Sequence, residues 1–534
     1  MRQRAIALIG SLALGSVVLA GCGASNTAQP SSSGTSISNI TIAETDTPDT
    51  LDPQKTGAAV TSTILSYVGN TLVTVNPWTH QVVPDLATKW SVSPNNLVYT
   101  FTLRKGVTFQ DGTPFNAQAM AFTLDRAMNP ATHGNIATAL LQPVKSVKAL
   151  GTYSLQITLS KPYAPFLSVA LSSPDLMAIS PQAVRQEGAA FADKPVGTGP
   201  FQVQSYVPGK SVTLTRNPHY QWAPNFFTNR GPVHVQTLTF DFLSSTATVV
   251  DGLKTGEIDV ASVPAQQVSQ FKGNSSFKIS SSLRDGLGFF LVMNFNNPAL
   301  QNLDVRKAIN YAIDRHEIVK LALSGAGAPA YSPLPSTIFG YDPATSQYGY
   351  HYNVNKAKAL LKAAGYHMGS NGYLTNGTNS LNFTLYSSPI AGWNSATQVI
   401  QQNLQAVGIK TTIRNMDIGT LITDMEKGQQ DLGVMGYTYN DPDVLYLFFD
   451  STQLHTGLNM SQYSSPTLDQ LLTQGRETTN QTARKKIYYQ VQRYMIQQAV
   501  IAPIYNEEDF IVYKSNIKGL QIAPGSAVEV QDIQ

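Results

Sequence analysis

Strand and helix signatures alternate along the 534 residues, and that alternation predicts an α/β fold with more than one domain. Three observations carry the prediction. Period-two apolar segments recur, amphipathic stripes at i, i+3, i+4 and i+7 lie between them, and several stripes stop at a glycine.

The elements follow in chain order. Arg2 and Arg4 precede an apolar run from Ala5 to Ala20, the layout of a secretory signal. The run ends in Leu19-Ala20-Gly21-Cys22, which resembles the lipobox of bacterial lipoproteins. That resemblance implies that residues 1–21 are removed and that Cys22, the chain's one cysteine, carries the lipid. Losing Arg2 and Arg4 would lower the net charge from +3 to +1. Residues 22–37 are rich in Gly, Ser, Ala, Thr and Asn and read as a flexible linker.

Leu97, Tyr99, Phe101 and Leu103 alternate with polar residues and predict a strand, as do Val212 with Leu214, and Leu238, Phe240 and Phe242. Phe289 to Met293 is apolar without interruption, the pattern of a strand covered on both faces. Asp304 is expected to cap a helix carrying Val305, Ala308, Ile309, Ala312 and Ile313. Ala357, Leu360, Leu361 and Ala364 form a second stripe closed by Gly365. Ile400, Leu404 and Val407 form a third, closed by Gly408, and Ile487, Val491 and Tyr494 a fourth.

Composition excludes several functions. One cysteine forbids an internal disulfide and a multi-thiolate zinc site. With 36 basic and 33 acidic side chains and no dense basic run, nucleic acid is not an expected partner. After the signal, no stretch is long and apolar enough to span a bilayer. Gly209-Lys210-Ser211 lacks the upstream glycine of a phosphate loop and runs into strand-forming residues, so it reads as a turn. Gly325 to Ala330 imitates a dinucleotide fingerprint but follows a helix and contains Pro329. No nucleophile elbow or His-Glu-x-x-His is present, and neither a cofactor nor a metal is expected.

A series of blocks carries a family resemblance. Pro84-Asp85-Leu86-Ala87 and Trp90 lead through Tyr99 to Arg104 and Lys105 to Phe109 into Asp111-Gly112-Thr113-Pro114-Phe115. Gly197-Thr198-Gly199-Pro200-Phe201, Arg216-Asn217-Pro218-His219-Tyr220 and Gly256-Glu257-Ile258-Asp259 follow. Asn294, Asp304 to Ile309, Tyr311 to Arg315, and Ala357 to Tyr366 complete the order. The chain thus resembles the family 5 solute-binding proteins, the oligopeptide- and dipeptide-binding lipoproteins of bacterial ABC importers. Asp111 and Gly112 suit a turn, and Arg306 and Asp314 are expected on the polar side of a helix or in local pairs.

The resemblance implies a two-lobed periplasmic-binding-protein-like fold (type II, cluster C) with an extra domain and a cleft closed by a hinge. Domain I would comprise residues 38–72, 194–283 and 505–534, domain II residues 73–193, and domain III residues 284–504. Chain crossings would fall near residues 283–288 and 503–506, with Gly286 and Gly288 absorbing the hinge motion. The implied partners are an oligopeptide or similar small solute, the membrane permease subunits, and the membrane itself through the lipid; the expected location is extracytoplasmic and the expected state a monomer.

The segment matching the family's peptide-pairing strand is Val434 to Pro442. The ligand-binding expectation names Gly436, Tyr437, Thr438 and Tyr439 there, with Trp393 and Asn294 elsewhere. Tyr437 and Tyr439 share a strand face, which either lines the cleft or enters the core. Peptide binders place an aspartate where this chain has Thr438, and Asp441 is expected to cap the next turn. A hydroxyl is a poor partner for an ammonium, so longer or blocked peptides, oligosaccharides and nickel chelates stay open, as does an exported peptidase on the same scaffold.

Overall fold

The computed structural model describes residues 38–534 except 135, 371, 378, 391 and 456. The signal at 1–21, the linker at 22–37 and Cys22 lie outside the described residues. Among the described residues no helix is long and apolar enough to cross a membrane.

A twelve-stranded mixed sheet organises the chain. Its main path runs Lys410–Asn415, Asn382–Ser387, Leu432–Tyr437, Leu287–Met293, Ile501–Lys514, Val260–Ser262, Asn39–Glu44, Thr237–Phe242, Ser211–Arg216 and Phe201–Val207. The fourteen-residue strand Ile501–Lys514 belongs to both ends of that path. Its first half pairs with Leu287–Met293 and Gly327–Pro329, and its second half with Phe277–Leu283 and Val260–Ser262. A separate four-stranded antiparallel sheet runs Ala87–Val92, Val98–Leu103, Ser154–Leu159, Val144–Gly151, with helix Ala117–Met128 packed against it.

The apolar periodicities explain these elements. Tyr99, Phe101 and Leu103 are buried from one face of Val98–Leu103. In Leu287–Met293 six of the seven residues are buried, since that strand is central and covered on both faces. Three large apolar clusters result: one built from residues between Leu287 and Tyr505, one from Leu72 to Ala178 with Tyr220, Trp222 and Ala223, and one joining Ile40, Phe240, Val260 and Ile533.

The helix over Leu303–Ala312 starts two residues earlier than its stripe suggests. Asn302 caps it by accepting from the Asp304 amide at 2.9 Å, so Asp304 lies in the first turn and is not the cap. Helices Val354–Ala363, Trp393–Ala406 and Gln481–Gln497 hold the other three stripes. Gly365 and Gly408 follow two of them at φ +86° and +89°, the left-handed turn a side chain resists. Lys210 and Gly209 form the hairpin turn between Phe201–Val207 and Ser211–Arg216.

Two arginines from the family blocks are interior. Arg306 is 4% exposed and donates to the carbonyls of Leu300, Gln301 and Gln498, which close two helix C-termini. Its expected place on a polar helix face is thus wrong; five donors in a fork suit it to bare carbonyls. Asp314 does act locally, capping helix Arg315–Ala322 through the amides of His316 and Glu317. Arg315, 2% exposed, donates to the carbonyls of Ala330 and Pro503 at 2.9 and 2.6 Å and to those of Asn310 and Tyr350 at 3.1 and 2.9 Å. Burial lowers its guanidinium to about 10. It fastens the long strand to a helix end and two loops. Arg315→Met should leave these carbonyls unpaired and cost about 3 kcal/mol or more, read as an earlier urea midpoint; an unchanged midpoint would show the tie to be dispensable.

Candidate functional site

The site is built around the middle of strand Ile501–Lys514, where its pairing partners change. Residues 284–286 link Phe277–Leu283 to Leu287–Met293 alongside it, and Gly286 allows the passage. Its φ is +112°, and a β-carbon there would stand 2.0 Å from the Tyr437 carbonyl oxygen and 2.6 Å from the Tyr439 nitrogen. Gly288 faces the same restriction, with Asn506 Oδ1 2.2 Å from its β-carbon position. Close backbone approach thus gives both positions a need for glycine that is independent of any motion.

Beside this crossing lies a cavity of about 460 Å³. Its lining comes from residues 43–45 and 262–266, from residues 390, 392, 393 and 436–438, and from residues 284, 285, 287–289 and 507–510. Trp393 opens helix Trp393–Ala406 and is 7% exposed. Its ring meets Phe289 edge-on at 5.3 Å, and Phe289 stacks on Tyr505 at 4.6 Å. Tyr437 is 36% exposed and packs edge-on against Phe448 at 5.2 Å. Strand Leu432–Tyr437 pairs with Asn382–Ser387 only at Leu432 and Gly433. Past Gly433 that edge has no strand partner among the described residues.

Gly436, Tyr437, Thr438 and Trp393 therefore meet at one cavity. Tyr439 and Asn294 do not line it. Tyr439 packs against the apolar cluster, where burial holds its phenol well above the ordinary value. Asn294 is 3% exposed and donates to the carbonyls of Gly428 and Gln430 at 2.9 and 2.6 Å, with its oxygen accepting the Asn296 amide. It secures a turn.

Asp441 accepts the Asp443 amide at 2.8 Å, as a turn cap does, and also receives both terminal nitrogens of Arg484, at 2.9 and 2.6 Å. Asp443 is fully buried and rises to about 6, through burial first and against the pull of Arg476. The Arg476 guanidinium lies 3.3 Å from Asp443, 3.9 Å from the Tyr446 ring centre and 5.2 Å from that of Tyr163. Tyr163 belongs to the second apolar cluster and Tyr446 to the first, so this cation bridges them.

The cavity's charges were not found from spacing. Glu44, Asp285, Glu507, Glu508 and Asp509 line it together with Arg284. Only the run Glu507-Glu508-Asp509 is visible in sequence; Glu44 and Asp285 come from remote segments. Arg284 donates to both carboxylate oxygens of Asp509 and to Glu507. Glu44 is raised to about 7 by burial, with Asp46 adding to the rise. Among the described residues no group of three or more His, Cys, Asp or Glu side chains is placed to hold a metal ion.

A carboxylate raised from 4.5 to about 7 opposes folding at pH 8, where it is charged in both states but desolvated only when folded. At pH 4 it is largely protonated in both states. Glu44→Gln should therefore raise stability at pH 8 by up to about 3 kcal/mol and leave it unchanged near pH 4. Melting temperatures at the two pH values check this; a lower value at pH 8 would contradict it.

The described geometry has clear relatives. Residues 81–455 match the model of the bacterial extracellular solute-binding proteins, family 5. The glutathione-binding protein GsiB of Escherichia coli strain K12 is 30% identical over 457 residues, covering 84% of this chain and 85% of GsiB. HbpA2 from Haemophilus parasuis is structurally similar with a TM-score of 0.81 at 25% identity, over 93% of this chain and 99% of its own. DppA from Helicobacter pylori, solved in complex with peptide STSA, gives 0.75 at 25% identity, over 94% and 98%. The mixed sheet and separate clusters are those of a two-lobed α/β solute-binding fold. The chain belongs to the family 5 bacterial extracellular solute-binding proteins.

Proposed function

We propose that this protein is the substrate-binding lipoprotein of an ABC importer, which captures an oligopeptide-like solute between its lobes and delivers it to the membrane permease. The observation that carries this reading is the cavity itself, whose lining joins the end of a strand edge left unpaired beyond Gly433, Trp393, and the end of Asn39–Glu44. An extended peptide can pair with such an edge through its main chain, and hydrated surroundings then tolerate varied side chains.

The proposed lobes follow the division at residues 38–72, 194–283 and 505–534 for domain I, 73–193 for domain II and 284–504 for domain III. Three apolar clusters match its broad outline, although Tyr220, Trp222 and Ala223 pack into the cluster of domain II, and Met177, Ile179, Ala183 and Phe191 into that of domain I. Closure would turn on residues 283–288 and 503–506, with the Arg476 and Tyr163 contact lying between the proposed lobes. Cys22 would tether the body outside the membrane, as the preceding apolar run and small residues suggest.

Small-angle scattering with and without a mixed peptide library tests capture: the radius of gyration falls on binding, and no change across the library would contradict peptide binding. Trp393→Ala should weaken the best peptide by about tenfold or more, as titration calorimetry would read. In cells, Cys22→Ser should move the protein out of the membrane fraction; continued membrane retention would rule out the lipid tether.

A further inference from the structure

Thr438 puts a neutral hydroxyl where peptide binders carry a carboxylate, yet the cavity it lines is strongly acidic. Five carboxylates face one guanidinium there. That guanidinium is already engaged: Arg284 Nε donates to Asp509 at 3.1 Å, Nη2 to the other Asp509 oxygen at 2.5 Å, and Nη1 to Glu507. Glu44, Asp285 and Glu508 remain, and none of the three has an ion-pair partner among the described residues.

Their surroundings sharpen the deficit. Burial acts most strongly on Glu44, and the charge that acts with it is another acid, Asp46. Asp285 Oδ1 is closed off from solvent and accepts no hydrogen bond. Burial also dominates at Asp285, with the Thr337 hydroxyl first and His80 second opposing it, and Asp509 adding to it. An independent observation lies deeper. Tyr505 is 0% exposed, and its hydroxyl has no partner. It ends 3.9 Å from the β-carbon position of Gly392, a residue of the cavity wall. Buried polar groups are normally satisfied, and here an acid and a phenol at one cavity are not.

We propose that this cavity selects a solute bearing a cationic nitrogen, and that Glu44 and Asp285 are the carboxylates that pair with it. The proposal rests on the solute-binding reading above and specifies its ligand. An ammonium brings three donors and no acceptor, which suits two carboxylates with the Thr438 hydroxyl nearby. An anionic or neutral solute would leave both acids desolvated and unpaired. The anchor is thereby moved from position 438 to two acids from other segments of the same cavity lining. Either a peptide α-ammonium or a basic side chain supplies the required group.

Titration calorimetry on the full chain with three peptides tests this: tetra-alanine, N-acetyl-tetra-alanine, and N-acetyl-Ala-Lys-Ala-Ala. At least one amine-bearing peptide should bind about tenfold or more tighter than N-acetyl-tetra-alanine. Preference for tetra-alanine identifies the α-ammonium as the anchored group, and preference for the lysine peptide identifies the side chain. Glu44→Gln and Asp285→Asn should each bring the preferred peptide down toward the affinity of the acetylated one, while circular dichroism reports an unchanged fold. Equal affinity for all three peptides, or a preference that survives both substitutions, overturns the proposal and leaves peptide binding standing. No binding of any of the three overturns the peptide reading and the proposal together.

Discussion

Everything in the site depends on one strand having two sets of neighbours. Ile501–Lys514 hydrogen-bonds to Leu287–Met293 over its first half and to Phe277–Leu283 over its second. The partner segment must leave one half and enter the other alongside it, and residues 284–286 make that step. So little space remains that Gly286 presses against the backbone of residues 437–439. The same step brings the carboxylates of residues 507–509 to a cavity lining shared with Arg284 and Asp285. Arg315 holds the strand from behind through the Pro503 carbonyl. A strand that continuous can flex at its middle without losing its pairing at either end, which is what closure of two lobes would require.

The charge economy of the chain gives the cavity its chemical character. With only 13% charged residues, most buried ions are placed in pairs or against carbonyls. Asp441 takes Arg484, Asp52 takes Arg126, and Arg306 and Arg315 take carbonyl oxygens. Glu44 and Asp285 depart from that pattern, and they do so at the cavity proposed to take the solute. Desolvated acids without partners destabilise a fold, and a protein keeps them where a ligand completes the pairing.

Much of the fold was legible because the periodicities were strong. The run Phe289 to Met293 could only suit a covered strand, and Gly365 and Gly408 marked helix ends through a left-handed turn. Other features depended on tertiary context. Asp304 and Asn302 both make good caps, and only the hydrogen bond decides for Asn302. Arg306 lies off the apolar stripe of its helix, but two helix C-termini converge on it, which no local pattern reveals. At the site, Gly436 to Thr438 and Trp393 converge on one cavity, whereas Asn294 supports a turn and Tyr439, half-buried, packs against the core. Glu44 and Asp285 lie 241 positions apart, so their convergence carries no sequence signal at all.

The solute that travels with the protein is the most direct witness. Mass spectrometry of material released by mild denaturation from gently purified protein should find one peptide-like solute per chain, carrying a free amine or a basic side chain. Recovery of an oligosaccharide, a metal chelate or an amine-free anion in that stoichiometry would contradict the account.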